Sequence, residues 1–551
     1  MNHDLVIRGA TVYDGLGAPG RIADVAVKDG RIAEVGSVAS AHETFDARGL
    51  ALMPGIVDLH THYDAQATWD PTLSPSPSLG VTTAVMGNCG FGIAPCPAGR
   101  RDTMVKNLSV VEGMDLDALQ AGTRWEFESF AEYMDLLRRA HPYANVGVFA
   151  QHSTIRTAVM GEAASTEKAP TPAQLAQMQG EVRAALGAGA IGFASSFSPN
   201  HSGHGGLPMP STIAGDDEIR ALAGVLGEAK RGVLMMATGP RATPEFMESM
   251  AAATGRPAFI STVLTMYNEA DPKRGLTYYE KCAQALARGN EVYIQTSCQP
   301  LSFDFTLEDP YLLLTHSAFD RVAGRTDEGL VDIYRDPEFR RQFHKDLANP
   351  RPGILFYGNW AMVEVDGTPV TRIAAGRGID PLDCFFEIAL ENNLTTRFVA
   401  KLFQNDDAGV APLLKHPAAV VTLSDAGAHL IFMCDAGFGL HFLRHWVRET
   451  GTFTLEEGVQ KLTSVPAARY RIPDRGRLVP GAWADMLLFD PAKVGVSGLL
   501  KLHDLPGGGS RMIRKPEGVA GVWVNGVRVF DGTDYVKLEK GPGQVLDRFD
   551  A

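Results

Sequence analysis

Cysteine is scarce in this chain, six in 551 residues. That is too sparse for the disulfide framework of small secreted domains, so a reduced cytoplasm is the expected compartment. Long apolar runs are missing as well, which leaves nothing to span a bilayer. The opening residues Met1-Asn2-His3-Asp4-Leu5-Val6-Ile7-Arg8 lack the basic region and apolar stretch of a secretory signal. No basic cluster occurs, and a formal net charge of -13 argues against nucleic acid or an anionic membrane as a main partner, because both recruit positive patches. The composition that remains, 45% hydrophobic and 21% charged, is that of a globular protein with a large core. At this length the expectation is a large catalytic domain with appended material, or about two to four domains.

Short strands broken by Gly and Asp turns fill residues 1–52, with Asp29-Gly30 as a hairpin signal between apolar-alternating segments. The far end has the same style, and Asn525-Gly526 is its hairpin turn. Neither end has enough strands to bury a sheet face alone, so residues 1–52 and 471–551 are expected to pair into one small β domain. Between them, residues 53–470 alternate short apolar strands with Ala- and Leu-rich helices. The expected strands are Thr82 to Met86, Asn145 to Phe149, Ala190 to Ala194, Val233 to Ala237, Ala258 to Val263, Glu291 to Gln295, Ile354 to Phe356 and Val420 to Leu423. Helices are expected at Thr171 to Leu186, Asp217 to Ala229, Pro244 to Thr254 and Leu455 to Thr463. This alternation predicts a parallel α/β architecture, and the strand count favours a (β/α) barrel over an open sheet.

Chemistry-bearing residues stand at the ends of these strands. In Pro54-Gly55-Ile56-Val57-Asp58-Leu59-His60-Thr61-His62 the alternation of a strand points Asp58, His60 and His62 to one side, where two imidazoles can hold a divalent cation. A solvated histidine pair is the plainer alternative. The strand Gly80 to Met86 runs into Gly87-Asn88-Cys89-Gly90, a Gly-flanked thiol suited to zinc, or else a small buried hydrophobe. The strand Val420 to Leu423 runs into Ser424-Asp425-Ala426-Gly427-Ala428-His429, whose Asp425 could bind a metal and carry a proton, or simply cap a helix. His60, His62, Cys89 and Asp425 would share the carboxyl face of a barrel, its catalytic face. The turn-rich loop Ser198 to Pro208 carries two more histidines and could be a lid or an extra ligand source. Gly87 to Gly92 has neither the spacing nor the Lys-Ser/Thr of a phosphate-binding loop.

These blocks, in this order, resemble the amidohydrolase superfamily and within it the N-acyl-D-amino-acid deacylase (D-aminoacylase) family. Gln151-His152-Ser153-Thr154-Ile155-Arg156 and the closing Arg475-Gly476-Arg477-Leu478-Val479-Pro480-Gly481-Ala482-Trp483-Ala484-Asp485 extend the likeness over nearly the whole chain. The resemblance implies a (β/α)8 TIM-like barrel with a small β-sandwich built from both termini. It also implies a zinc site in which His60, His62, Cys89 and Asp425 are the metal ligands and Asp425 is the proton carrier. His152, Arg156 and His429 are the substrate-binding candidates, Arg156 because its fork of donors suits a carboxylate; a salt-bridged structural pair is the alternative for His152 and Arg156.

Such deacylases usually supply two further metal histidines from the fifth and sixth barrel strands, the second in a Ser-His-His-Lys block. Here Val233 to Gly239 and Phe259 to Thr265 occupy those places, and no histidine occurs between His204 and His316. One ion held by His60, His62 and Asp425, with or without Cys89, is the favoured expectation. Substitute ligands and a site that has lost its metal are the alternatives. The expected activity is metal-dependent hydrolysis of a small-molecule acyl amide, such as an N-acyl amino acid. A cyclic amidase or lactonase, or a metal-poor ligand-binding pseudoenzyme, are the other readings. The oligomeric state stays open, with a homo-oligomer among the options.

Overall fold

The computed structural model describes residues 3–261, 263–325, 329–351 and 356–549. The two ends of the chain meet in one sheet. Its strands run in the order Val527–Phe530, Val519–Val524, Met486–Phe489, Ala51–Pro54, His3–Val12, Arg21–Lys28 and Arg31–Gly36, with Ala41–Asp46 also alongside His3–Val12. The ends are joined where Met486–Phe489 pairs antiparallel with Ala51–Pro54. Both predicted hairpins form, with φ of 52° and 75° at Asp29-Gly30 and 47° and 80° at Asn525-Gly526, the left-handed pair that matches strand twist. Leu5, Ile7, Val25, Val27, Leu52, Met486, Leu488 and Trp523 close one core from both ends. Each such aliphatic side chain contributes about 1.5–3 kcal/mol on burial, which neither end could collect alone.

The middle of the chain closes on itself. We label its strands β1 (56–61, as Ile56–Asp58 and His60–Thr61), β2 (Val81–Met86), β3 (145–151, as Asn145–Val148 and Ala150–Gln151) and β4 (Gly192–Ser196). They continue as β5 (Val233–Ala237), β6 (Ala258–Ser261), β7 (Val292–Thr296) and β8 (419–426, as Ala419–Val421 and Leu423–Ala426). Each pairs in parallel with the next, and β8 pairs in parallel with β1. A parallel ring of eight strands among the described residues is a (β/α)8 barrel, and burial on both faces is why β5 reads as a continuous apolar run. At the closing seam Thr422 Oγ1 accepts from Leu59 N at 2.7 Å and donates to the Val57 carbonyl at 3.1 Å, so a side chain stands in for the ladder where both strands break.

Helices follow the strands as expected: Pro172–Ala188, Asp216–Ala229, Pro244–Thr254 and Leu455–Leu462. Thr171, Thr243 and Thr454 cap three of them by accepting a backbone N–H three residues on. Of the strand expected at Ile354 to Phe356, residues 354 and 355 lie outside the described residues and Phe356 is not in a strand; the barrel closes without it because β7 pairs directly with β8. Residues 266–273 and 299–410 form a second compact unit, inserted in the chain around and after β7. Its sheet is antiparallel, in the order Leu301–Phe305, Phe398–Phe403, Val363–Val365 and Thr368–Pro369. Phe319, Tyr334, Phe339, Phe343 and Phe386 pack edge to face in its core.

Candidate metal centre

His60 and His62 leave the end of β1 with their Nε2 atoms 3.3 Å apart. The orientation of each ring follows from its other nitrogen. Gln295, on β7, donates its amide hydrogens to Tyr470 Oη at 2.7 Å and to the Leu59 carbonyl at 3.3 Å. A carbonyl can only accept, so the Gln295 oxygen is the atom that faces His60 Nδ1 at 2.7 Å, and that nitrogen carries the hydrogen. His62 Nδ1 lies 3.0 Å from Glu112 Oε1, again an acceptor. With its hydrogen on Nδ1, His60 turns the Nε2 lone pair inward. Asp58, on the same strand, sits underneath instead, accepting from the Ser424 hydroxyl and from His60 N. Burial pushes its carboxyl up to about 7 against those two hydrogen bonds.

Two further groups meet the histidines. Cys89 follows β2 in a turn whose Gly87, Cys89 and Gly90 all have positive φ, and a Cβ on Gly90 would lie 2.7 Å from the Ala194 carbonyl oxygen. That close approach to β4 brings Cys89 Sγ to 3.6 Å from His60 Nε2. Asp425, at the end of β8, places Oδ1 3.2 Å from His60 Nε2 and 3.0 Å from His62 Nε2. Its Oδ2 lies 3.5 Å from His429 Nε2. Cys89, Asp425 and His429 all hold left-handed backbone, at φ 56°, 56° and 54°, a conformation that costs non-glycine residues on the order of 1–3 kcal/mol and that clusters at functional sites.

Strands β8, β1 and β2 are consecutive in the ring, so the three motifs converge at one end of three adjacent strands. Ligand atoms of His60, His62 and Cys89 all lie within 4.8 Å of one another, in buried surroundings. Burial opposes charge on Asp425, yet the adjacent His60 and His62 hold it well below the usual carboxylate range. Against burial, the adjacent Cys89 and Asp425 push His60 up to about 10. Two imidazole nitrogens facing one another beside a carboxylate oxygen call for positive charge among them. A divalent cation supplies it, and a set of two nitrogens, a sulfur and an oxygen suits zinc.

The sequence model of the amidohydrolase family matches residues 43–530. This chain belongs to the amidohydrolase family. It is 29% identical to N-acyl-D-aspartate deacylase of Alcaligenes xylosoxydans xylosoxydans over 556 residues, 100% of this chain and 96% of that one. Among solved structures it is similar to a D-aminoacylase described by its binuclear metal centre, with one-metal activation and second-metal attenuation (TM-score 0.68, 26% identity, covering 99% of this chain and 100% of that one). It is likewise similar to N-acyl-D-glutamate deacylase of Bordetella bronchiseptica in complex with zinc and a phosphonate mimic of the tetrahedral intermediate (TM-score 0.67, 26% identity, covering 100% of both chains).

In this amidohydrolase β5 and β6 bring no histidine to the barrel mouth. Ser261, closing β6, instead places its hydroxyl 3.2 Å from His60 Nδ1. Among the described residues, His60, His62 and Cys89 form the one such converging group. His152 and Arg156, read as substrate-binding candidates, are not brought to it. Both are fully buried. His152 holds Ser195 Oγ at 2.8 Å and Glu218 Oε1 at 2.9 Å. Arg156 pairs with the same Glu218 oxygen at 3.1 Å and donates to the carbonyls of Ala164, Pro210 and Glu167. With these donors engaged inside the protein, the contacts match the salt-bridged structural alternative for the pair.

His429 does reach the cluster, beside Asp425. Of the two loop histidines, His201 bonds Ser196 Oγ at 2.7 Å and sits close enough to Glu112, Asp425 and His62 to feel their charges. Glu112 and Gln295 went unread in the sequence. Neither belongs to a motif, and each meets its histidine only through the barrel.

Proposed function

We propose that this amidohydrolase cleaves the C–N bond of linear acyl amides, N-acyl amino acids above all, with one zinc ion held by His60, His62, Cys89 and Asp425. The observation that carries the reading is the convergence of the His60 and His62 Nε2 atoms on Asp425 Oδ1 at the ends of β1 and β8. The deacylase relatives matched along the whole chain supply the substrate class. A single ion agrees with the histidine-free ends of β5 and β6, and with a relative described as activated by one metal.

Zinc so held lowers the pKa of water and polarises a carbonyl. The protein's own part falls to Asp425. Its Oδ1 is engaged by the two histidines, which leaves Oδ2, on the His429 side, to take the proton of the attacking water and return it to the leaving amine. Held well below the carboxylate range by the adjacent His60 and His62, Asp425 enters the reaction as a carboxylate. His429 is placed to hydrogen-bond a substrate oxygen next to that carboxylate. Six buried free cysteines support a cytoplasmic location, and no helix of the described residues is long and apolar enough to cross a membrane.

The test is a screen of zinc-replete protein against N-acyl-D- and N-acyl-L-amino acids and simple aryl and alkyl amides, with products counted. Release of an acid and an amine as separate molecules is the expected result. A single ring-opened product from a cyclic amide or lactone, with no linear turnover, would replace the reading by a cyclic amidase or lactonase. Protein that takes up less than half an equivalent of metal and turns nothing over is a pseudoenzyme.

A further inference from the structure

Glu112 is an expensive residue where it stands. It caps the carboxyl end of the helix Arg101–Val111, where the helix dipole disfavours a carboxylate, and its side chain is only 4% exposed. A buried carboxylate needs a partner, since an unpaired one costs several kcal/mol. Among the described residues its ion pair is with His62, whose Nδ1 lies 3.0 Å away. The Glu112 backbone carbonyl also accepts the N–H of His429. One residue thus touches the histidine leaving β1 and the loop leaving β8.

The partner of His60 sets the contrast. His60 Nδ1 gives its hydrogen to a neutral amide oxygen of Gln295, whereas His62 Nδ1 faces a full negative charge. Gln295 fixes which nitrogen of His60 carries the hydrogen, and Glu112 Oε1 lies beside His62 Nδ1 as an ion-pair contact at 3.0 Å. Only Glu112 adds charge, which makes the far nitrogen a better electron-pair donor. That matters more in a centre to which β5 and β6 add no histidine.

We propose that Glu112 is a positioning residue of the metal centre, holding the Nδ1 hydrogen of His62 and strengthening Nε2 as a zinc ligand. This rests on the zinc reading above and goes beyond it by assigning a role to a residue outside the ligand set.

The experiment measures zinc affinity by competition with a chromophoric chelator for wild type, Glu112→Gln, Glu112→Ala and His62→Ala, and for the two double variants with His62→Ala. Thermal melts of the metal-free proteins run alongside. Glu112→Ala is expected to bind zinc about 10–100-fold more weakly, the usual effect of losing such a partner. Glu112→Gln, nearly isosteric and still an acceptor, should fall in between, so the comparison stands even where the alanine variant melts early. In the His62→Ala background neither substitution should weaken binding further. Wild-type affinity in Glu112→Gln and Glu112→Ala overturns the role of Glu112 alone, as does equal weakening with and without His62. Wild-type protein that binds no zinc overturns the zinc reading and this inference together.

Discussion

Gln295 donates to the hydroxyl of Tyr470 across 2.7 Å, and that bond decides which way His60 faces. The amide could otherwise turn over and offer nitrogen to the imidazole. With its NH2 group held by Tyr470 Oη and the Leu59 carbonyl, its oxygen must meet His60 Nδ1. Gln295→Leu, which takes the acceptor away, should weaken zinc binding about tenfold or more. Tyr470→Phe keeps the acceptor and should cost only about 0.5–1.5 kcal/mol of stability. Chelator competition and denaturant melts on the two variants check the difference.

Asp425→Asn removes the proton acceptor but keeps a neutral oxygen ligand of the same shape. Turnover should fall by about 100-fold to 10,000-fold, the range for loss of a general base. The circular dichroism spectrum should stay as in wild type. Initial rates at equal bound zinc make the measurement, and retained turnover would remove Asp425 from the proposed role.

Arg156→Met separates the structural reading of Arg156 from the substrate-binding one. It strips Glu218 of its cationic partner in a buried site, so it should destabilise by about 3–5 kcal/mol. At a temperature where the variant is folded, KM should match wild type. A raised KM with unchanged stability would instead restore Arg156 as a substrate clamp.

Burial lowers His201 from 6.5 to about 4 and His441 from 6.5 to about 3. Both are neutral in the folded protein over a range where the unfolded chain is protonated. Proton uptake on unfolding means that stability falls as pH drops below about 6.5 and goes on falling until the folded-state values are reached. Melts from pH 7.5 to 4.5 should show the loss, and His201→Asn and His441→Asn should each flatten it. Part of the remaining slope belongs to other groups, so the comparison is between variant and wild type.

Much of the centre was legible because its signals are local. A histidine pair spaced for one strand face, a Gly-flanked cysteine and an aspartate after an apolar run each carry their meaning within a few residues, and each stands at the end of a strand that forms where the apolar pattern puts it. Asp29-Gly30 and Asn525-Gly526 were readable for the same reason, since a two-residue turn is decided by its own φ angles. Local pattern left two readings open at His152 and Arg156, substrate-binding or a salt-bridged structural pair. Nothing near them shows that Glu218, on the helix after β4, takes both.

By itself, then, the sequence determined the strands, the hairpins and three of the short motifs that end in His60, His62, Cys89 and Asp425. These depend on side-chain alternation and turn preference, which act over a few residues. Only the tertiary structure decided that β8 closes against β1 beside β2, so that those side chains meet, and that Gln295 and Glu112 stand behind the two histidines. The physical reason is that ring closure and the burial of a carboxylate against an imidazole are contacts between residues tens to hundreds of positions apart. Their free energy exists only once the core has formed, and no short stretch of sequence contains it.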